Sequence, residues 1–107
     1  MWQGPTEDKI REWAACANKQ IASDARVVCR CPTCRNGDLA VFFLRGHRHG
    51  AAWLWCSSCH TGYHSQSTVP AWWRWPFGAE EVRRAEDPFS LLEKLWPQIS
   101  QLNPPAH

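Results

Sequence analysis

The sequence has no long apolar run, and this argues against a membrane-spanning helix. None of its 107 residues belong to a stretch near the roughly 18 apolar residues that a span requires. The first nine residues, MWQGPTEDK, have neither a basic start nor an apolar core, so no secretory signal is predicted. We therefore expect a cytoplasmic protein whose cysteines stay reduced.

Lysine is missing from residues 26–76, and Asp38 is the one acid in that stretch. Six arginines lie there instead, whereas the residues on either side carry a small excess of acids. The chain as a whole has a formal charge of +2. Strong non-specific binders of nucleic acid usually have a larger positive excess. The charge pattern thus allows contact with nucleic acid without favouring it.

A recognisable catalytic set is also missing. An enzyme needs a nucleophile or an acid–base pair held together in a pocket. Serines and histidines are neighbours around residues 57–67, but no known motif joins them. The acids fall mostly in predicted helices, where a solvated face explains them. We expect a protein that is not an enzyme and has no small-molecule substrate.

The sequence does contain a repeated cysteine unit. The pattern C-x2-C-x2-G occurs twice, as CPTCRNG and CSSCHTG, with eighteen residues between the copies. Paired cysteines of this kind are a zinc signature, because four thiolates fill a tetrahedral Zn²⁺ shell. The predicted ligands of one structural zinc ion are Cys31, Cys34, Cys56 and Cys59. The glycines that end the units, Gly37 and Gly62, are expected to supply positive φ for the turns.

Other chemistry at the same residues has weaker support from the sequence. Cys56 to His60 also reads C-x-x-C-H, the attachment motif of haem c, but Met1 is the single methionine and the first cysteine unit has no role in a haem protein. A redox C-x-x-C lacks the βαβ pattern that would support it. His60 and His64 lie beside the second unit and could replace a cysteine, although four cysteines already complete the shell.

Two further cysteines stand outside the repeat. Cys16 lies off the apolar stripe of the predicted first helix, and Cys29 precedes the first unit in a predicted strand. Free cysteine is usually a small buried residue, so neither is predicted to bind the metal.

Periodicity predicts a helix over residues 6–23, with Thr6 as N-cap and an apolar stripe formed by Ile10, Trp13, Ala14, Ala17 and Ile21. Strands are predicted at 26–30, 39–45, 51–56 and 63–69, with a hairpin connection at 46–50. Both faces of this sheet are apolar. We expect the first helix to cover one face, and the tryptophan segment or the last helix to cover the other.

Residues 70–78, PAWWRWPFG, form the tryptophan segment, which its two prolines keep from being a long regular element. Large aromatics are mostly buried, so core filling competes there with a role as exposed anchors. A helical turn is possible over 79–86. Asp87 and Pro88 then mark a helix start, and Pro97 is expected to end or kink that helix. The prediction is one α+β domain with an antiparallel three-stranded sheet between an N-terminal helix and a helical part over 79–103.

The order of the elements resembles the zinc-ribbon superfamily: a first cysteine unit (here called a knuckle), a hairpin, and a second knuckle. The resemblance covers residues 28–69 and rests on the four cysteines with the hairpin between them. It implies a fold and a metal, but not one function, since zinc ribbons occur in nucleic-acid-binding, transcription and adaptor proteins. The helices and the tryptophan segment lie outside the pattern.

Two functions follow as hypotheses. The preferred one is a protein-binding module, either a small inhibitor such as a toxin-neutralising immunity protein, or an adaptor. Trp and Arg dominate protein interfaces, and they suggest a surface made of Arg45, His47, Arg48, His49, Trp72, Trp73, Arg74 and Trp75. The alternative is a nucleic-acid-binding ribbon that uses the arginines and aromatics of residues 26–76.

Overall fold

The computed structural model describes residues 1–46 and 48–105. It has the predicted α+β arrangement, with one sheet between an N-terminal helix and C-terminal helices. The elements in chain order are α1 (Glu7–Ala22), β1 (Ala40–Leu44), β2 (Gly50–Cys56), β3 (Thr61–Ser67), α2 (Glu80–Arg84) and α3 (Pro88–Leu102). None of the helices in these two ranges has the length and apolar character needed to cross a lipid bilayer.

The buried face of α1 differs from the predicted stripe. Thr6 is the N-cap, in extended geometry, but its hydroxyl donates to Asp8 Oδ1 and does not accept a backbone N–H of the helix. The buried residues are Trp13, Cys16, Ala17 and Gln20. Ile10 is 44% exposed, so the prediction that it faces the core is wrong. A polar glutamine takes part in the contact face because its amide has a backbone partner, as described below.

The strands pair in the order β1–β2–β3, and every pair is antiparallel. All five residues of β1 are buried, which means that both faces of the sheet are covered at that strand. On one face, Trp13 of α1 lies against Tyr63 with a ring separation of 6.4 Å. On the other, Trp96 of α3 packs edge-on against Trp55 at 5.6 Å. The expected two-sided cover is confirmed.

Helix α3 begins as predicted and ends within the predicted helical part. Asp87 is its N-cap, accepting a hydrogen bond from the Ser90 backbone N–H, and Pro88 is its first residue. Pro97 lies inside the helix, which continues to Leu102. Glu93 of this helix accepts a 2.6 Å hydrogen bond from Trp55 Nε1, which satisfies the indole at the centre of the sheet.

The tryptophan segment wraps around the β1 edge of the sheet. Trp72 meets Phe43 edge-on at 6.0 Å on the α1 side, and its Nε1 donates to the Gln20 carbonyl oxygen. Trp75 meets Phe42 at 5.6 Å on the α3 side. Trp73 lies between them, contacts both phenylalanines and is 5% exposed. The segment therefore closes an edge that would otherwise expose unpaired backbone groups.

Asn103, just after α3, ties the end of the chain to the tryptophan segment. Its amide nitrogen donates to the carbonyl oxygens of Arg74 and Ile99, and its Oδ1 accepts from the Arg74 N–H at 2.8 Å. Its backbone carbonyl accepts from Arg26 Nε at 2.7 Å. The Arg26 guanidinium also lies 5.1 Å from the Trp96 ring centroid. Asn103 is 2% exposed, so these bonds are shielded from water.

Residues 26–30 are not the regular strand that the sequence predicts. They form isolated bridges, Arg26 with Pro105 and Arg30 with Asp38. The side chains alternate as they would in a strand, since Cys29 is buried while Val28 and Arg30 are exposed. The segment pairs with a neighbour at single points only, which is too short a ladder to count as a strand.

Candidate metal centre

The four predicted ligands lie together. The Sγ atoms of Cys31, Cys34, Cys56 and Cys59 are all within 4.8 Å of one another. The closest pairs cross between the knuckles, with Cys31 to Cys59 at 3.8 Å and Cys34 to Cys56 at 3.7 Å. A tetrahedral Zn²⁺ with bonds of about 2.3 Å requires sulfurs about 3.8 Å apart. The cluster thus has the dimensions of a metal site, and all six cysteines of the chain are free thiols.

The two knuckles share one backbone turn. In each, the residue after the second cysteine donates its N–H to the carbonyl oxygen of the first cysteine, Arg35 to Cys31 at 3.0 Å and His60 to Cys56 at 2.9 Å. These same residues have positive φ, 58° at Arg35 and 53° at His60. The prediction that the glycines supply positive φ is therefore wrong. The positive φ lies two residues before each glycine, at the residue whose N–H donates to the carbonyl oxygen of the first cysteine.

The glycines are required for space. A Cβ atom on Gly37 would lie 2.7 Å from Ser58 Oγ and 3.2 Å from Cys56 Sγ, inside the second knuckle. A Cβ on Gly62 would lie 2.6 Å from the Phe89 ring of α3. The first glycine lets the knuckles approach each other, and the second lets α3 pack on the site. The recurrence of glycine at this spacing thus reflects close approach and not backbone conformation.

Gly62 offers a test of this packing. We expect Gly62→Ala to lower the free energy of unfolding by about 2 kcal/mol, because the added methyl overpacks the contact with Phe89. Chemical denaturation of the purified protein measures this change. The double variant Gly62→Ala/Phe89→Ala has no such clash, so its loss of stability should be smaller than the sum of the losses in the two single variants. Additive losses would show that the ring and the glycine do not conflict.

Backbone N–H groups and burial act differently on the four thiols. The Asn36 N–H lies 3.4 Å from Cys34 Sγ, and this hydrogen bond lowers the pKa of Cys34 to about 7. Burial raises the pKa of Cys31, and it raises the pKa of Cys56 to about 12. Without a cation, the thiols of Cys31 and Cys56 therefore hold their protons at neutral pH. A cation that binds as a tetrathiolate must release them, so its affinity rises with pH.

An N-terminal arm, which no sequence pattern predicts, holds the second knuckle. The backbone of Gln3 donates to the His60 carbonyl at 3.0 Å and accepts from the Gly62 N–H at 2.9 Å. The Trp2 ring stacks on His60 at 4.7 Å, and its Nε1 donates to Ser90 of α3. The arm thereby joins the knuckle to the helix. Trp2 and Gln3 precede every periodic pattern in the sequence, so the sequence does not identify them as a structural element.

His60 and His64 stand apart from the sulfur cluster. His60 is engaged with Trp2, and His64 stacks on Trp53 at 4.2 Å on the α3 face of the sheet. Burial lowers the pKa of His64, which favours its neutral form. Neither belongs to the metal-competent group among the described residues.

Cys16 and Cys29 are buried outside the cluster, 8% and 6% exposed. The interaction between their thiols lowers the pKa of Cys29 and raises that of Cys16. Gln20 holds this corner together: its Oε1 accepts from the Val27 N–H at 2.8 Å, and its Nε2 donates to the Val27 carbonyl. The pair belongs to the contact between α1 and residues 26–30.

The predicted partner surface is only partly a surface. Arg45, Arg48 and His49 are exposed at the hairpin end of the sheet, whereas His47 lies outside the described residues. In the tryptophan segment Arg74 is exposed, Trp72 and Trp75 are half-buried, and Trp73 is core. The exposed aromatic ring there is Phe77, at 52%, which the sequence analysis did not single out.

The basic stretch is also divided by the fold. Arg26 is 9% exposed and engaged with Asn103, so it is withdrawn from the surface. Arg35 faces Glu12 of α1 at 3.4 Å. Arg45, Arg48 and Arg74 remain exposed at the hairpin end and the neighbouring tryptophan segment, and Arg30 is exposed beside the first knuckle.

Comparison of the chain with protein-family models, with curated proteins and with solved structures found no match.

Proposed function

We propose that this chain is a zinc protein of the zinc-ribbon type, in which one structural Zn²⁺ supports a protein-binding module that is not an enzyme. The observation that carries the metal assignment is the set of four sulfurs within 4.8 Å, with cross-knuckle pairs at 3.7 and 3.8 Å. Thiolate donors in tetrahedral array favour zinc over the hard cations Mg²⁺ and Ca²⁺, which take oxygen ligands.

The donor set supports a structural role for the ion. Catalytic zinc sites keep a position open for water or substrate, whereas four cysteines leave none. Cys31 and Cys56 are 0% exposed, and Gly37 lies close against Cys56, which leaves little room for a fifth ligand. The ion would instead hold the two knuckles, and with them the N-terminal arm and α3.

Protein binding is supported by what remains exposed. Arg45, Arg48 and Arg74 lie at one end of the molecule with the exposed ring of Phe77 beside them. Arginine and aromatic side chains are enriched at the centres of protein interfaces. An inhibitor, such as an immunity protein that neutralises a toxin, and an adaptor are the two forms of this proposal, both in the cytoplasm.

Nucleic-acid binding is the second candidate, and the fold weakens it. A strand-tracking surface needs a run of cations along a groove. Burial of Arg26 and pairing of Arg35 with Glu12 remove two of the six arginines from such a run. The other four are divided, with Arg30 exposed beside the first knuckle and Arg45, Arg48 and Arg74 exposed at the hairpin end, so they do not form one continuous run.

Metal analysis of the purified protein tests the first part of the proposal. We expect one zinc per chain, and replacement by Co²⁺ should give the intense thiolate-to-metal absorption of a tetrahedral four-sulfur site. Less than half an equivalent of zinc after purification without chelators, or a cobalt spectrum without thiolate bands, would overturn the assignment.

Partner capture tests the second part. Tagged protein is incubated with host extract, with and without nuclease, at low and high salt, and the bound material is identified. We expect a specific protein that survives nuclease and rebinds when purified. Recovery of nucleic acid alone, lost at high salt, would transfer the proposal to the second candidate.

A further inference from the structure

A cavity of about 580 Å³ opens between the end of β1 and the tryptophan segment. Its walls are mostly apolar, and its lining includes Phe43, Trp75, Phe77 and Leu102. Phe77 and Leu102 are two of the few large apolar side chains with substantial exposure, 52% and 37%. Their presence in one cavity gives an apolar pocket of the size that takes a bulky side chain.

The rim of this pocket is positively charged. Arg45 and Arg74 line it, and no acid does. Within residues 1–46 and 48–105, neither guanidinium is paired with a carboxylate. Arg45 also lines an adjoining cavity of about 460 Å³ that contains Arg48 and His49 and again no acid. The positive rim therefore extends from the pocket towards the hairpin.

The opposite side of Phe77 has the reverse charge. A third cavity, of about 380 Å³, shares Trp75 and Phe77 with the pocket but is lined by Glu80 and Glu81. An acidic group bound near Phe77 is consequently attracted on the Arg45 side and repelled on the Glu81 side. This asymmetry fixes the direction in which a charged chain can lie.

Trp75 adds a donor that lacks a partner. Its Nε1 is buried and has no acceptor, and the Phe77 ring packs edge-on against Trp75 at 5.0 Å. A buried N–H without a partner costs about 1–3 kcal/mol. A ligand whose carbonyl oxygen reaches Trp75 alongside the Phe77 ring would give this donor an acceptor.

We propose that the pocket binds an acidic segment of a partner protein, through one bulky apolar side chain that enters beside Phe77 and carboxylates that pair with Arg45 and Arg48. The inference rests on the proposed protein-binding function and names its surface and the chemistry of its ligand. The Trp75 indole N–H donates a hydrogen bond to a backbone carbonyl oxygen of the segment.

Charge and shape together favour a protein segment over a nucleic acid. Phosphates would satisfy the arginines, but a single apolar pocket does not stack successive bases, which binding to single strands requires. A carboxylate next to an aromatic or aliphatic side chain fits both the rim and the walls. A single-stranded oligonucleotide is accordingly a competing ligand in the test.

The probe is a fluorescent peptide, Glu-Asp-Gly-Phe-Gly-Ser, titrated against the zinc-loaded protein and followed by anisotropy. Its comparison peptides replace Phe by Ala, or replace the two acids by lysine. A labelled oligothymidine is measured in parallel at two salt concentrations. We expect the acidic Phe peptide to bind more tightly than either comparison peptide and than the oligonucleotide.

Matched variants place the binding on this pocket. We expect Arg45→Gln to weaken the affinity for the acidic Phe peptide about threefold, as for the loss of an exposed charge pair. Arg11→Gln on α1 should leave this affinity unchanged. Phe77→Ala should weaken it about tenfold, whereas Val28→Ala, at a residue that is also 52% exposed, should not. Arg74 is unsuited to this test, because its guanidinium donates to the Ala71 and Trp73 carbonyls and holds the segment.

Each outcome bears on the proposal. Equal binding of the Phe and Ala peptides, or equal losses in Arg45→Gln and Arg11→Gln, would overturn it, as would tighter binding of oligothymidine. If the peptides fail while a captured host protein rebinds to Phe77→Ala as it does to the wild type, the protein-binding function stands and this surface for it falls. If no host protein rebinds at all, the function itself falls.

Discussion

Cys31→Ser is expected to remove the metal and to unfold the middle of the chain. Structural zinc contributes on the order of 10 kcal/mol to folding, which is comparable to the whole stability of a small domain. Cys31 is fully buried, so the serine hydroxyl would replace a thiolate at the core side of the cluster. Zinc analysis and near-ultraviolet circular dichroism measure the loss, and chelation of the wild-type protein should reproduce it.

Cys16→Ser is the matched control, since it also changes a buried cysteine but lies outside the sulfur cluster. We expect one zinc per chain to remain, with a modest loss of stability from the altered contact with Cys29. Loss of zinc in Cys16→Ser, or a folded Cys31→Ser protein with full metal, would contradict the assignment of ligands.

Asn103→Ala is expected to lower the free energy of unfolding by about 3 kcal/mol, since truncation leaves several buried polar groups without partners. The Arg74 N–H loses its acceptor, and the carbonyl oxygens of Arg74 and Ile99 lose a donor. For a domain of this size the melting temperature should fall by about 15 °C. Thermal unfolding followed by tryptophan fluorescence measures the change.

Asn18→Ala provides the comparison, because Asn18 is exposed on α1 and the same substitution there should change stability by less than about 0.5 kcal/mol. Asn103→Asp retains the acceptor for Arg74 but replaces the amide donor, so it should be nearly as harmful as alanine. An Asn103→Ala protein as stable as Asn18→Ala would show that the tryptophan segment does not depend on this side chain.

The site was predictable to the extent that it depends on local spacing. Two residues between cysteines bring both sulfurs to one side of a turn, and repetition of the unit identifies Cys31, Cys34, Cys56 and Cys59 as one group. The role of the glycines was not predictable. Whether Gly62 is needed for φ or for room depends on Phe89, which lies 27 positions away in the sequence.

The first helix shows the same limit. Hydrophobic periodicity located it to within a residue or so, yet assigned Ile10 to the core and left Gln20 out. Gln20 is buried because the backbone of Val27 passes beside it and offers a donor and an acceptor. A pattern that counts apolar residues cannot detect a polar side chain whose partner is the main chain of another segment.

Apart from residues 26–30, the sequence by itself determined the types of the helices and strands, the hairpin and the two cysteine knuckles, because periodicity and turn spacing are local properties of the chain. Tertiary structure decided which side chains are left exposed. Trp73 lies in the core while Phe77 is half exposed, and Arg26 is buried while Arg45 is free at the rim of a pocket. These residues are chemically alike in the sequence, and only the packing of the tryptophan segment across β1 separates core from surface.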